Sequence, residues 1–135
     1  MITISQIDHV VIRVKDVRTM VAFYRDVLGC AEERMKDDMG LYQMRAGSAL
    51  IDLVDVTGTL GKMGGAAPGK DARNMDHFCV RLEPFDEEAI RAHLKAHGVK
   101  APDTTMRYGA DGTGPSIYIQ DPEGNTIELK GPPVS

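Results

Sequence analysis

The chain has 135 residues, two cysteines and a formal net charge of −4. Such a length fits one domain or two fused half-domains and needs no disulfide staple. An acidic balance argues against nucleic acid as a partner, and no apolar run approaches the roughly 20 residues of a membrane span. Cys30 and Cys79 are expected to be free thiols of a cytoplasmic protein, since Met1-Ile2-Thr3 has no basic, apolar signal sequence.

The first half, residues 1–57, is predicted to be a β-α-β-β-β module. Its first strand, Ile7–Val14, alternates an apolar face with a face that carries His9 and Arg13. A helix follows between a capping Asp16 and a closing Gly29, because apolar residues recur there at helical spacing. The module is completed by three short predicted strands, Ala31–Met35, Leu41–Arg45 and Ala49–Val56.

Residues 58–74 are rich in glycine and are interpreted as a mobile linker between modules, with a substrate-covering role as the alternative. A phosphate-binding loop would need Gly-Lys followed by Ser or Thr. Here Lys62 is followed by Met63, and Lys70 by Asp71, so that function is excluded.

The second half, residues 75–135, repeats the order of the first and is predicted to be a second β-α-β-β-β module. Its helix begins at Asp86 and ends before Gly98. A glycine-containing loop is predicted over Met106–Gly114, and a tight turn over Asp121–Asn125. The predicted strands are Met75–Leu82, a weak one over Val99–Thr104, Ser116–Gln120 and Thr126–Lys130.

The repeat places one histidine and one carboxylate at matched positions in each half. Asp-His in the first strand recurs in the second half, and Ile51-Asp52-Leu53 recurs as Ile127-Glu128-Leu129. All four polar side chains are expected on the face away from the core. They are His9, Asp52, His77 and Glu128.

Imidazole and carboxylate groups are ligands of divalent metals such as Ni, Zn, Mn, Fe and Co. Two histidines with one or two carboxylates leave coordination positions for a substrate. A single histidine in a strand is more often structural, and it is the matching of four positions that favours a metal site. His93 and His97 also share a helix face, but no third ligand accompanies them, so a solvated face is the better interpretation.

Three stretches resemble the vicinal oxygen chelate superfamily, which includes glyoxalase I and bleomycin-resistance proteins. They are the opening Ile7–Val14 with the Phe23–Gly29 helix, the Met75–His77 start of the second module, and the closing Asp121–Leu129 hairpin. The resemblance covers essentially the whole chain. It implies an α+β fold of two tandem βαβββ modules that form an open, cup-shaped mixed sheet around one divalent metal ion. It also implies a homodimer and a small-molecule substrate, for instance a thiol conjugate.

Carried over by position, the resemblance makes His9, His77 and Glu128 metal ligands. Asp52 stands where related enzymes have Glu or Gln, and it either ligates the metal directly, binds through water or forms an ion pair. A carboxylate beside the metal, Glu128 or Asp52, would move the substrate proton.

Four further residues are candidates for substrate binding. Arg13 has the spacing from His9 of the glyoxalase arginine that contacts the glutathione carboxylate, although an exposed strand-end arginine is the alternative. Ser116 and Tyr118 resemble the Ser-x-Tyr pair of fosfomycin-resistance proteins, but the chain lacks their basic tail. Tyr108 could close over a substrate from its loop, or simply pack at the edge of the cup.

Three functions follow from the resemblance. The first is a glyoxalase I-like lyase or isomerase that needs a divalent metal. The second is other chemistry on the same metal: acyl-CoA epimerisation, fosfomycin-type epoxide opening or extradiol dioxygenation. The third is a non-catalytic drug-binding protein of the bleomycin-resistance kind, which the retained ligands and the absence of tryptophan disfavour.

Overall fold

The computed structural model describes all 135 residues, and these form two compact units, Met1–Asn74 and Met75–Ser135. Each unit contains one α-helix and one four-stranded mixed sheet in the order β-α-β-β-β. The predicted α+β class with two βαβββ modules is therefore confirmed. Neither α-helix is long and apolar enough to span a membrane.

The first unit builds its sheet in the order β1-β4-β3-β2. β1 runs parallel to β4, and the other neighbours are antiparallel. The buried face of this sheet is apolar and includes Ile12, Met44, Ile51 and Leu53. The strands are β1 (His9–Val14), β2 (Ala31–Lys36), β3 (Leu41–Ala46) and β4 (Ala49–Asp55).

Helix α1 (Val17–Asp26) follows β1 and begins as predicted, because the Asp16 side chain accepts a hydrogen bond from the Thr19 backbone N–H at 3.1 Å. It buries Phe23 and Tyr24 against the sheet. Gly29 adopts φ +70°, a left-handed conformation that redirects the chain into β2.

The second unit repeats this arrangement with the order β5-β8-β7-β6, and β5 is parallel to β8. Its apolar face buries Ile117, Ile119, Ile127 and Leu129. Helix α2 (Glu87–Ala96) is capped by Asp86. The strands are β5 (Phe78–Arg81), β6 (Thr105–Gly109), β7 (Gly112–Gln120) and β8 (Thr126–Lys130).

Two predictions about the second unit were wrong. Val99–Thr104 is not a strand, because the Arg91 guanidinium donates hydrogen bonds of 2.9 Å to the backbone carbonyls of Ala101 and Pro102. Residues 106–114 are not a loop but most of a β6–β7 hairpin. Gly109 pairs with Gly112 at its tip, where Gly112 adopts φ +130°.

The connector after β4 is partly ordered against the first unit, which differs from the mobile linker predicted. Gly61–Gly64 forms a short 3-10 helix. The Arg13 guanidinium donates hydrogen bonds of 2.8–2.9 Å to the carbonyls of Gly61, Gly65 and Ala66. Asn74 then bonds both the N–H and the C=O of Arg13 at 3.0 Å. The connector is therefore attached to β1 at both of its ends.

Candidate functional site

In the first unit, the sheet register places Asp52 on the face that carries His9. Asp52 pairs with Val11 across the parallel strands, and alternate residues of a strand share a face. Asp52 is only 4% exposed. Its Oδ2 accepts a hydrogen bond from Gln43 Nε2 at 3.3 Å, whereas its buried Oδ1 has no partner. A buried carboxylate oxygen without a donor is costly, and a cation would relieve that cost.

In the second unit, Glu128 contacts His77 directly. Glu128 Oε1 lies 3.2 Å from His77 Nε2, and Oε2 accepts a hydrogen bond of 2.6 Å from Ser116 Oγ. Tyr118 is directly opposite Glu128 on β7, and its ring meets the His77 ring edge-on with centroids 5.7 Å apart. Glu128 and Ser116 are buried, so the hydrogen bond between them is shielded from solvent.

Both histidines are oriented by the aspartate that precedes them. Asp8 Oδ1 lies 2.7 Å from His9 Nδ1, and Asp76 Oδ2 lies 2.6 Å from His77 Nδ1. An ionised carboxylate only accepts hydrogen bonds, so Nδ1 carries a hydrogen in both rings and Nε2 is the nitrogen directed away from the aspartate. Metal-binding histidines commonly have such a carboxylate partner on the other ring nitrogen.

Hydrogen bonds and neighbouring charges raise the pKa of both histidines and lower the pKa of Glu128. The hydrogen bond to Asp8 and the charge of Asp52 raise the pKa of His9. The hydrogen bond to Asp76 raises the pKa of His77. Burial alone would raise the pKa of Glu128, but hydrogen bonds from Ser116 and Tyr118 lower it overall. Both imidazoles therefore lie in negative surroundings that attract cations.

The donor chemistry fits a divalent cation, although the structure contains no group of three such side chains close enough together to hold one. Each unit contains one oriented imidazole and one buried carboxylate. Imidazole nitrogen with carboxylate oxygen suits Ni, Zn, Mn, Fe and Co. The buried Oδ1 of Asp52, which has no hydrogen-bond partner, also favours a bound cation.

The four residues predicted to bind substrate have different surroundings from one another in the structure. Arg13 shares a face with His9, but its guanidinium donates to connector carbonyls. Ser116 is fully buried and donates to Glu128, next to Tyr118. Tyr108 lies within β6, 83% exposed, and pairs with Thr113 on the face opposite Glu128.

The sequence reasoning missed four residues on the two polar faces. Gln43 supports Asp52, and Cys79 pairs across β5 and β8 with Glu128. Burial raises the pKa of the Cys79 thiol to about 11, so it is a neutral neighbour. The other two residues are Lys130 and Arg107. Strand alternation could have predicted Lys130 on this face, because it lies two residues after Glu128. Arg107 could not be assigned to a face, because it lies in a segment that was predicted to be a loop.

Residues 6–129 match the family model of the Glyoxalase/Bleomycin resistance protein/Dioxygenase superfamily. The chain belongs to this superfamily, which confirms the resemblance drawn from the Asp-His strands and the closing hairpin. The match covers both units.

Known relatives agree with this membership. Virulence protein STM3117 of Salmonella typhimurium is 31% identical over 129 residues, which are 93% of this chain and 83% of that protein. Its crystal structure aligns with a TM-score of 0.76 at 27% identity, covering 97% of this chain and 99% of that one.

Two further proteins share only the fold with this chain, since both are under 25% identical. The fosfomycin resistance protein FosX of Listeria monocytogenes has a TM-score of 0.68 at 18% identity, covering 98% of this chain and 97% of that one. Lactoylglutathione lyase of Agrobacterium tumefaciens has a TM-score of 0.66 at 22% identity, covering 94% and 93%.

Proposed function

We propose that this chain is a divalent-metal-dependent lyase or isomerase of the glyoxalase type, acting as a homodimer on a small substrate with neighbouring oxygen atoms. The observation that carries the proposal is the repeated pair of oriented imidazole and buried carboxylate. It comprises His9 with Asp52 in one unit and His77 with Glu128 in the other.

His9, His77 and Glu128 would hold the metal ion, with Asp52 as a fourth ligand or as a base. A bound divalent metal supplies Lewis acidity towards substrate oxygens. Ser116 fixes Glu128 through a 2.6 Å hydrogen bond, so the ligand oxygen is oriented before metal arrives.

The carboxylate best suited to move a substrate proton is Asp52. Its Oδ1 has no partner, whereas both oxygens of Glu128 are engaged by His77 and Ser116. Asp52 would accept a proton from one substrate carbon and return it to the neighbouring carbon.

The first test is the metal content of purified and reconstituted protein, compared among wild type, His77→Ala and His93→Ala. His93 lies on α2 and serves as the matched control. About one ion per chain, lost only in His77→Ala, is expected. The loaded protein should then isomerise the hemithioacetal of methylglyoxal and glutathione. If no variant differs and no metal binds, the catalytic proposal fails and a drug-binding function replaces it.

A second candidate is fosfomycin-type opening of an epoxide. The observation in its favour is the pair Ser116 and Tyr118 beside Glu128, together with the shared fold of FosX. The complete burial of Ser116 argues that its hydroxyl serves Glu128 rather than a phosphonate. Phosphorus NMR of fosfomycin, incubated with loaded protein and either water or a thiol, separates this reaction from isomerisation.

A further inference from the structure

Strand β6 carries Arg107 on the same face of the second sheet as Glu128. The register pairs Arg107 with Gly114, and Gly114 shares a face with Ser116 and Tyr118 along β7. Tyr118 in turn lies directly opposite Glu128. Because Gly114 has no side chain, nothing on β7 covers Arg107 from directly across the strand pair.

Arg107 differs from the other two arginines of this unit because it has no carboxylate partner. Arg81 pairs with Glu83 at 3.0 Å and Asp111 at 2.6 Å, and Arg91 pairs with Glu87 at 3.2 Å. The Arg107 guanidinium makes one long hydrogen bond, 3.2 Å to the Met106 carbonyl, and lies beside the Tyr118 hydroxyl. Most of its five N–H donors remain available to a ligand.

Lys130 adds a second positive charge and fixes the backbone that carries Arg107. Its side chain is buried, and its Nζ donates to the carbonyls of Arg107 and Gly114. Those partners are neutral, so the ammonium charge is not cancelled by an ion pair. Lys130 shares the face of Glu128 because it pairs with Ser116 across the strands.

We propose that Arg107 binds an anionic group of the substrate, a carboxylate or a phosphoryl-type group, and thereby makes the site specific for anionic substrates. The inference rests on the proposed function for the identity of the neighbouring site. Its physical basis is the planar guanidinium, which binds both oxygens of a carboxylate or phosphonate in a way that a lysine cannot. Glu128 is the one carboxylate among these groups on the face, and in the metal-free protein its two oxygens are already in contact with His77 and Ser116.

The test is a titration of metal-free protein with inorganic phosphate and, separately, with succinate, followed by backbone amide NMR shifts. The variants are Arg107→Met and Arg107→Lys, with Arg34→Met as the matched control, since Arg34 is an exposed strand arginine of the first unit. We expect Arg107→Met to weaken binding about tenfold or more, Arg107→Lys to weaken it partly, and Arg34→Met to leave it unchanged.

The two anions separate the chemical sources. Phosphate binding without succinate binding assigns a phosphoryl-type substrate, and the reverse assigns a carboxylate. Equal affinity of wild type and Arg107→Met for both anions, or no binding by the wild type, overturns the proposal. Because this readout uses no metal, Arg107-dependent anion binding can persist while the metal-content test fails, and the two failures are distinguishable.

Discussion

Asp76 Oδ2 lies 2.6 Å from His77 Nδ1, and this contact determines which nitrogen of the ring faces the Glu128 carboxylate. The same relationship recurs between Asp8 and His9 at 2.7 Å. In both places the orienting carboxylate is the preceding residue in the chain. The duplicated Asp-His sequence therefore encodes both the candidate ligand and its orientation.

Removing the orienting carboxylate is expected to weaken metal binding without removing a ligand. Asp76→Ala should lower metal affinity about 10- to 100-fold, because His77 loses the hydrogen bond that holds its tautomer and ring plane. Competition with a chelating dye measures the change. Asp103→Ala, an exposed aspartate outside the strands, is the control and should bind metal normally. Unchanged affinity in Asp76→Ala would mean that His77 is not a ligand oriented in this way.

Asp52 is expected to lower the stability of the metal-free fold while supporting turnover. Asp52→Asn keeps the shape but removes a buried charge whose Oδ1 has no partner. In denaturant unfolding, the free energy of unfolding of the metal-free variant should exceed that of wild type by at least about 1 kcal/mol. Its turnover in the hemithioacetal assay should fall at least about 100-fold, since the amide cannot accept the proton.

The control for this substitution is Asp55→Asn, at the end of the same strand, where the carboxylate caps Thr57. That change should lower stability slightly and leave turnover intact. An Asp52→Asn variant that is less stable than wild type and equally active would show that Asp52 has a structural role only.

Much of this architecture could be predicted because strand alternation and the internal repeat are local signals. The apolar positions of the first and last strands of each half identify the buried faces. The polar positions left over include His9, Asp52, His77 and Glu128, and the register confirms that each carboxylate lies opposite the buried face.

The β6–β7 hairpin could not be predicted in the same way, because its glycines resemble a loop. Gly109, Gly112 and Gly114 interrupt the alternation that would have indicated strands. Without the register, Tyr108 and Arg107 could not be assigned to faces, and the aromatic residue was the more conspicuous candidate. The structure places Arg107 on the Glu128 face and Tyr108 on the other.

The cap of α1 gives a pH-dependent prediction away from the site. Hydrogen bonding from the Thr19 backbone lowers the pKa of Asp16 below its ordinary value of 3.8. A lowered folded-state pKa means that the ionised cap stabilises the fold above that ordinary value, and that this contribution is lost as pH falls through the folded-state pKa. Asp16→Ala should therefore melt at a lower temperature than wild type at pH 7.

The difference in melting temperature should narrow as pH falls below about 4, where the wild-type cap becomes protonated. Thermal unfolding followed by circular dichroism measures it. Asp71→Ala, an exposed aspartate of the connector, should match wild type throughout. A gap that stays constant down to acid pH would show that the charge of Asp16 does not carry its capping contribution.

The connector offers a matched pair of glycines for testing the contacts of Arg13. A Cβ at Gly64 would lie 2.5 Å from Arg13 Nε, whereas a Cβ at Gly69 would meet nothing within 4 Å. Gly64→Ala should therefore displace the guanidinium from the carbonyls of Gly61, Gly65 and Ala66. Residues 58–66 should then exchange their amide hydrogens faster and be cut sooner by a protease, because their backbone contacts to β1 are lost.

Gly69→Ala should leave both exchange and cleavage at wild-type rates, since its methyl group enters open space. Arg13→Lys should behave like Gly64→Ala, because a single ammonium cannot reproduce the guanidinium's fork of donors to three carbonyls. If both variants exchange as slowly as Gly69→Ala, the connector is held by Asn74 and its own 3-10 helix rather than by the Arg13 guanidinium.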